Sequence, residues 1–254
     1  MCSKDPRRLE MSSQLPVPHP KQTAWLPEGS NNHGVTASNE LNPVTQQHVD
    51  RAVDALVDEF GDVHSRQTIE DVMEDSVAQL AGSAEVDDFL ATLAHRFTRE
   101  RLKAMGRAHG PERALPDVLF VGLGDSGRGQ IAAALVTLRS EGRVVAHSAG
   151  RSIGVQVDPA VVEVMQELAI DLSNAYAKPL SAEVLVAADV VVTMGRSVGS
   201  VEIPDGTRHS DWRVGDPTGA SVDEARRVRE DIDRRVQELL AELDPGEPPD
   251  ETTQ

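Results

Sequence analysis

The chain has 254 residues, room for one sizeable core or two small ones, and a formal net charge of −17. That charge excludes nucleic acid and an anionic membrane as partners held by bulk electrostatics. Its single cysteine, Cys2, excludes an intrachain disulfide framework, a Cys-cluster zinc site and a Cys-x-x-Cys redox pair.

No apolar run is long enough to span a membrane, and the N-terminus lacks the apolar core of a signal peptide. A cytoplasmic protein with no membrane partner is expected. The histidines show no HExxH-type spacing, so neither a metal site nor a cofactor is expected.

Residues 1–41 are polar, rich in Pro, Ser and Asn, and without a period. They read as a disordered tail in which Trp25 and Leu26 are isolated apolar points. Residues 42–109 read as a three-helix domain. Asn42 is a candidate cap and Pro43 suits a first turn. Val49, Val53, Leu56, Val57 and Phe60 share one helical face, which Gly61 ends. Ile69, Val72, Met73, Val77 and Leu80 form a second stripe, closed by Gly82. Val86, Phe89, Leu90, Leu93 and Phe97 form a third. So small a unit has apolar surface to share, and a second copy would cover it.

Gly110, Pro111 and Pro116 mark a linker. The next stretch, Asp117 to Leu138, is the centre of the chain. Val118–Val121 is a short run of β-formers. Gly122, Gly124, Gly127 and Gly129 then punctuate a loop, and Gln130–Leu138 returns to helix formers. Such a loop at a helix N-terminus suits an anion, because backbone N–H groups and the helix dipole converge there. Arg128 is its one cationic side chain, with a planar fork that fits phosphate-like oxygens.

The pattern then alternates to residue 244. Val144–Ser148 is a strand. Asp158 and Pro159 open a helix through Val161, Val162, Met165 and Leu168. Lys178-Pro179-Leu180 is a turn, and Ser181 starts a short helix to Ala187. Asp189–Met194 is a buried strand and Thr207–Asp211 a fourth. Val222 to Leu243 is a closing helix, and residues 245–254 are a second disordered tail. The fold class expected is α/β: a small doubly wound parallel sheet over 116–244, preceded by the all-α domain and the tail.

Two readings compete for the loop. Gly122-x-Gly124-x-x-Gly127 taken literally is a dinucleotide fingerprint. That reading needs an acid near the end of the second strand, where His147-Ser148 stands instead. Taken with Arg128, the stretch VLFVGLGDSGRGQIAAAL resembles the phosphate-binding loop of the low-molecular-weight tyrosine phosphatase and arsenate reductase superfamily. Ser148-Ala149-Gly150, the helix from Val157 to Ser173, ADVVVTMG from Ala188 to Gly195, Asp211-Trp212, Asp216-Pro217 and the closing helix match that family in order. Residues 42–109 resemble the three-helix domain fused to some bacterial arsenate reductase-like proteins, and the resemblance implies a homodimer.

The resemblance implies a Cys-x5-Arg loop, and Gly122 stands where its cysteine belongs. Gly122 has no side chain to attack with. Gly129 replaces the serine that supports the thiolate, Asp125 replaces a bracing asparagine, and no further cysteine occurs near Arg196 to Val201. Asp125 tolerates a left-handed backbone, while glycine at 122 leaves a positive φ open there too. What the resemblance leaves is the binding half: Leu123, Gly124, Asp125, Ser126, Gly127 and Arg128 around phosphate or arsenate. Asp216 is then a remnant general acid, or simply an Asp-Pro turn. The reading is a pseudoenzyme, a dimeric oxyanion-binding or regulatory protein. The alternatives are an active enzyme with a non-cysteine nucleophile, Ser126 or Cys2, and the dinucleotide binder.

Overall fold

The computed structural model describes residues 41–81, 87–109, 115–151, 156–195 and 201–243. The expectations for residues 1–40, Gly82, Val86, Gly110, Pro111, 196–200 and 245–254 lie outside the described residues.

The helical segment comprises α1 (Pro43–Phe60), α2 (Arg66–Ala81) and α3 (Asp87–His109). Asn42 caps α1: its Oδ1 accepts from the Val44 and Thr45 N–H groups, and Pro43 sits where no N–H is needed. Val49, Val53, Leu56, Ile69, Met73, Leu80, Leu90 and Phe97 meet in one core. Phe89 departs from the expected stripe. It is 62% exposed, because the buried face of α3 runs through Leu90, Ala94 and Phe97.

The remaining elements are β1 (Asp117–Gly122), α4 (Arg128–Arg139), β2 (Val145–Gly150), α5 (Pro159–Gln166), α6 (Ala182–Ala187), β3 (Val190–Met194), β4 (Arg208–Trp212) and α7 (Val222–Leu243). All strand pairs are parallel, in the order β2-β1-β3-β4. Asp158 caps α5 and Ser181 caps α6, as their types suggest. Helix α5 stops short of Leu168, where Ala169 turns the chain with a φ of 58°.

Strand β1 is buried along its whole length, and its side chains divide between two faces at a period of two. Val118 and Phe120 pack under α4, α5 and α7, with Ile131, Leu135, Val161, Met165, Ile232 and Val236. Leu119 and Val121 point the other way, toward Val184 and Ala187 of α6 and Ala104 of α3. Helix α6 has six residues and is too short to cover a sheet face. The C-terminal half of α3 supplies the missing cover, so the surplus apolar surface of this helix is buried within the same chain.

A buried guanidinium fastens this arrangement. Arg101 on α3 is 5% exposed; it donates to Glu183 on α6 at 2.8 Å and to the Ser76 hydroxyl on α2 at 2.9 Å, and pairs with Asp75 at 2.7 Å. Burial of Glu183 opposes its ionisation, but Arg101 outweighs it and lowers the carboxyl's pKa. Removing one partner of such a pair costs about 3–5 kcal/mol, because a charge is left buried alone.

Candidate functional site

The glycine-rich loop leaves the C-terminal end of β1, with β2 on one side and β3 on the other. The chain reverses its strand order here, and the ends of parallel strands open a crevice at such a point. Gly122 pairs with Gly150 in the ladder, and its carbonyl accepts from the Arg151 N–H. Asp125 takes the left-handed conformation, with φ 50°, as its residue type allows. Helix α4 then starts at Arg128 with Gly127 as a cap that offers no side-chain oxygen. Among the described residues, no carbonyl accepts from the N–H groups of Gly124 to Arg128. Those donors are the unfilled hydrogen-bonding capacity of a helix start.

The structure brings the predicted residues together around that loop, with one division among them. Asp125 and Gly127 are buried, Ser126 is half-buried, and Leu123 is exposed at the rim. Arg128 folds back, only 12% of its side chain exposed, and its Nη2 stands 3.1 Å from Asp216 Oδ2. Asp216 Oδ1 meanwhile accepts from the Thr218 N–H at 3.1 Å. One oxygen of Asp216 thus makes the turn and the other faces the arginine.

Gly122 carries an open space. A Cβ built there has only the Asp125 nitrogen as a neighbour, 4.0 Å away, and its φ is not positive. The glycine is not there for backbone shape. Gly129 is different: a Cβ there lies 3.2 Å from Asp125 Oδ1 and 3.3 Å from Ser148 Cβ, a tight fit.

Three residues escaped notice as parts of the site. Gly195, with φ 95°, lies flat against the Arg128 guanidinium, and a Cβ there would come within 2.8 Å of its Cζ. Pro217 covers Gly127, where a Cβ would meet the ring at 2.8 Å. Asp158 joins the pieces: its N–H donates to the Ser126 carbonyl, and its carboxylate accepts from Ala160 and Gly219. A helix cap is visible in sequence; its second grip, on residue 219, is not.

Behind the loop lies a buried polar network. Asp125 Oδ2 accepts from Gln130 Nε2 at 2.9 Å and from the Lys178 N–H at 3.0 Å, while Oδ1 has no partner. Burial pushes this carboxyl up to about 7, against the pull of the Lys178 charge. Lys178 Nζ in turn stands 3.3 Å from Glu100 on α3, and Glu100 accepts from or pairs with His147 Nδ1 at 2.7 Å. Burial of Glu100 opposes its charge, but Lys178 and His147 prevail and bring it down to about 2. Burial disfavours the His147 cation too, yet Asp117 and Glu100 outweigh it and raise the ring to about 9.

A four-stranded parallel sheet, with its glycine-rich loop at the switch point and helices on both faces, defines the class as the low-molecular-weight phosphatase fold. Residues 117–247 match the low molecular weight phosphotyrosine protein phosphatase family, and the chain belongs to it. Residues 49–106 match the protein-tyrosine-phosphatase-like N-terminal domain. A putative arsenate reductase of Halobacterium salinarum is 32% identical over 133 residues, 50% of this chain and 93% of that protein. An arsenate reductase of Bacillus cereus is 31% identical over 121 residues, 47% of this chain and 90% of its own. The solved thioredoxin-dependent arsenate reductase of Corynebacterium glutamicum aligns with a TM-score of 0.69 and 31% identity, over 78% of this chain and 96% of that one. The glycines therefore belong to a phosphatase-type loop. The dinucleotide reading finds no support, and β2 carries no acid to hold a ribose.

Proposed function

We propose that this protein is a degenerate arsenate reductase or phosphatase-like member that holds a tetrahedral oxyanion, phosphate or arsenate, in the loop from Gly122 to Arg128 and does not attack it. The observation that carries this is the combination of a held arginine and an empty nucleophile position. Arg128 is fixed against Gly195 beside the uncapped start of α4, while open space stands where a side chain at 122 would be. Relatives are named arsenate reductases, and the loop of this chain has Arg128 but no cysteine. Binding with no covalent step suits a regulatory role, in the cytoplasm, as a homodimer through residues 42–109. Val44, Val63 and Phe89 are exposed apolar points on that segment and support the dimer.

Calorimetry with phosphate and with arsenate tests the proposal. Heat and a thermal shift at millimolar oxyanion are expected, and the part of both that comes from the loop is expected to be lost in Arg128→Ala. Silence in the unmodified protein leaves the domain as an interaction scaffold only. Sedimentation equilibrium tests the dimer separately.

A further inference from the structure

A second concentration of positive charge lies away from the loop. A cleft of about 260 Å³ opens between α3 and the edge strand β2, lined by Arg96, Arg99, Glu100, Lys103 and His147. Arg96, Arg99 and Lys103 stand three and four residues apart on α3, so they share one face. This is unusual on a chain whose net charge is −17.

The groups around the cleft do not cancel. Glu100 is held between His147 and Lys178, two cations for one carboxylate. Arg99 grips Glu59 through Nε and Nη2, and Nη1 is not part of that grip. Arg96 donates from Nη1 to the Asn174 carbonyl and lies 4.7 Å over the Tyr176 ring, which holds the guanidinium in place. Arg107 and Asp117 neutralise each other behind His147. The cleft lining thus sets Arg96, Arg99, Lys103 and His147 against the one carboxylate of Glu100, and His147 is buried, so part of this charge sits in low dielectric.

We propose that this cleft is a second anion site, which takes a phosphate group, free or carried on a small ester. Lys103 and the outward N–H groups of Arg96 and Arg99 would hold its oxygens, and His147 and Lys178 would supply the field behind them. The volume suits a ligand below drug size, such as a phosphomonoester of a few carbons. The site is separate from the loop, since its lining residues come from α3 and β2 and none from residues 122–128. It stands whether or not the loop binds an oxyanion.

The test uses the full chain with inorganic phosphate and glycerol 3-phosphate as probes. Calorimetry on Arg128→Ala is expected to show one remaining site for either probe, weakening as salt rises. Tighter binding of glycerol 3-phosphate identifies the ester as the better source, and equal binding identifies free phosphate. Lys103→Glu in that background is expected to weaken binding at least tenfold. Lys103 is exposed, so this variant should fold; an unchanged circular dichroism spectrum checks it. Lys103→Glu alone should leave loop binding in place. The proposal is overturned if Arg128→Ala binds neither probe at millimolar concentration, or if Lys103→Glu changes nothing.

Discussion

The Arg128 guanidinium rests on the backbone of Gly195, and its Nη2 reaches Asp216 Oδ2 at 3.1 Å. The arginine is thus held from below by a residue with no side chain and met from the front by a carboxylate. An incoming oxyanion would find its main cation already partnered.

On the proposed function, Asp216 competes with the oxyanion for Arg128. Its side chain is 56% exposed, so the pair is screened and is worth no more than about 1 kcal/mol. Asp216→Asn removes the competing charge and should tighten phosphate binding by up to about fivefold. Calorimetry reads this directly. Unchanged or weaker binding would mean that the carboxylate does not oppose the anion.

Gly195→Ala should cost more than its size suggests. Its φ of 95° disfavours any Cβ, and the Cβ would overlap the guanidinium. A loss of about 1–3 kcal/mol in stability is expected, together with loss of oxyanion binding as Arg128 is displaced. Denaturant unfolding gives the first and calorimetry the second. Full retention of binding would show that Arg128 has another resting place.

Asp125 links stability to pH. Its folded pKa, about 7, lies above the ordinary 3.8, so the protonated form is the one the fold favours. The stability it contributes is complete below 3.8 and is lost as pH rises through 7. Asp125→Asn keeps an acceptor for Gln130 and Lys178 and cannot ionise. Its melting temperature should exceed that of the unmodified protein by several degrees above neutrality, and the two should converge only as pH falls to 3.8. Parallel melting curves across the range would remove Asp125 as the titrating group.

The chemistry should be restorable. Gly122→Cys meets open space and no adverse φ, so the thiol should be accommodated. The helix start and Arg128 should hold its pKa below the free value of about 8.5. Gly129→Ser is tighter, with Asp125 Oδ1 3.2 Å from its Cβ, so it belongs together with Asp125→Asn, which removes the charge beside it. The triple variant should hydrolyse an aryl phosphate or react with arsenate, the single Gly122→Cys less well. Arg128→Ala in the triple background should abolish the activity. If a folded triple variant shows neither turnover nor a low-pKa thiol by pH-dependent alkylation, the loop is not an oxyanion cradle.

Much of this molecule is determined locally. Period and capping chemistry set the helices: Asn42 with Pro43, Asp158 with Pro159 and Ser181 act on their own neighbours, and α7 runs over Val222–Leu243 as its stripe requires. Runs of β-formers between helices dictate a parallel sheet, because short loops leave no other way back. That residue 122 has no side chain, the basis of the proposed loss of a nucleophile, is likewise a matter of sequence. Tertiary structure decided what distance along the chain conceals. Gly195 meets Arg128 across 67 positions, and only packing puts a bare backbone under the guanidinium. Helix α3 serves two cores, because a six-residue α6 leaves a sheet face uncovered. Phe89 points outward although its stripe points inward. The elevated carboxyl of Asp125 has the same origin: burial, helped by the Glu100 charge brought near from a remote segment, raises it against the pull of Lys178.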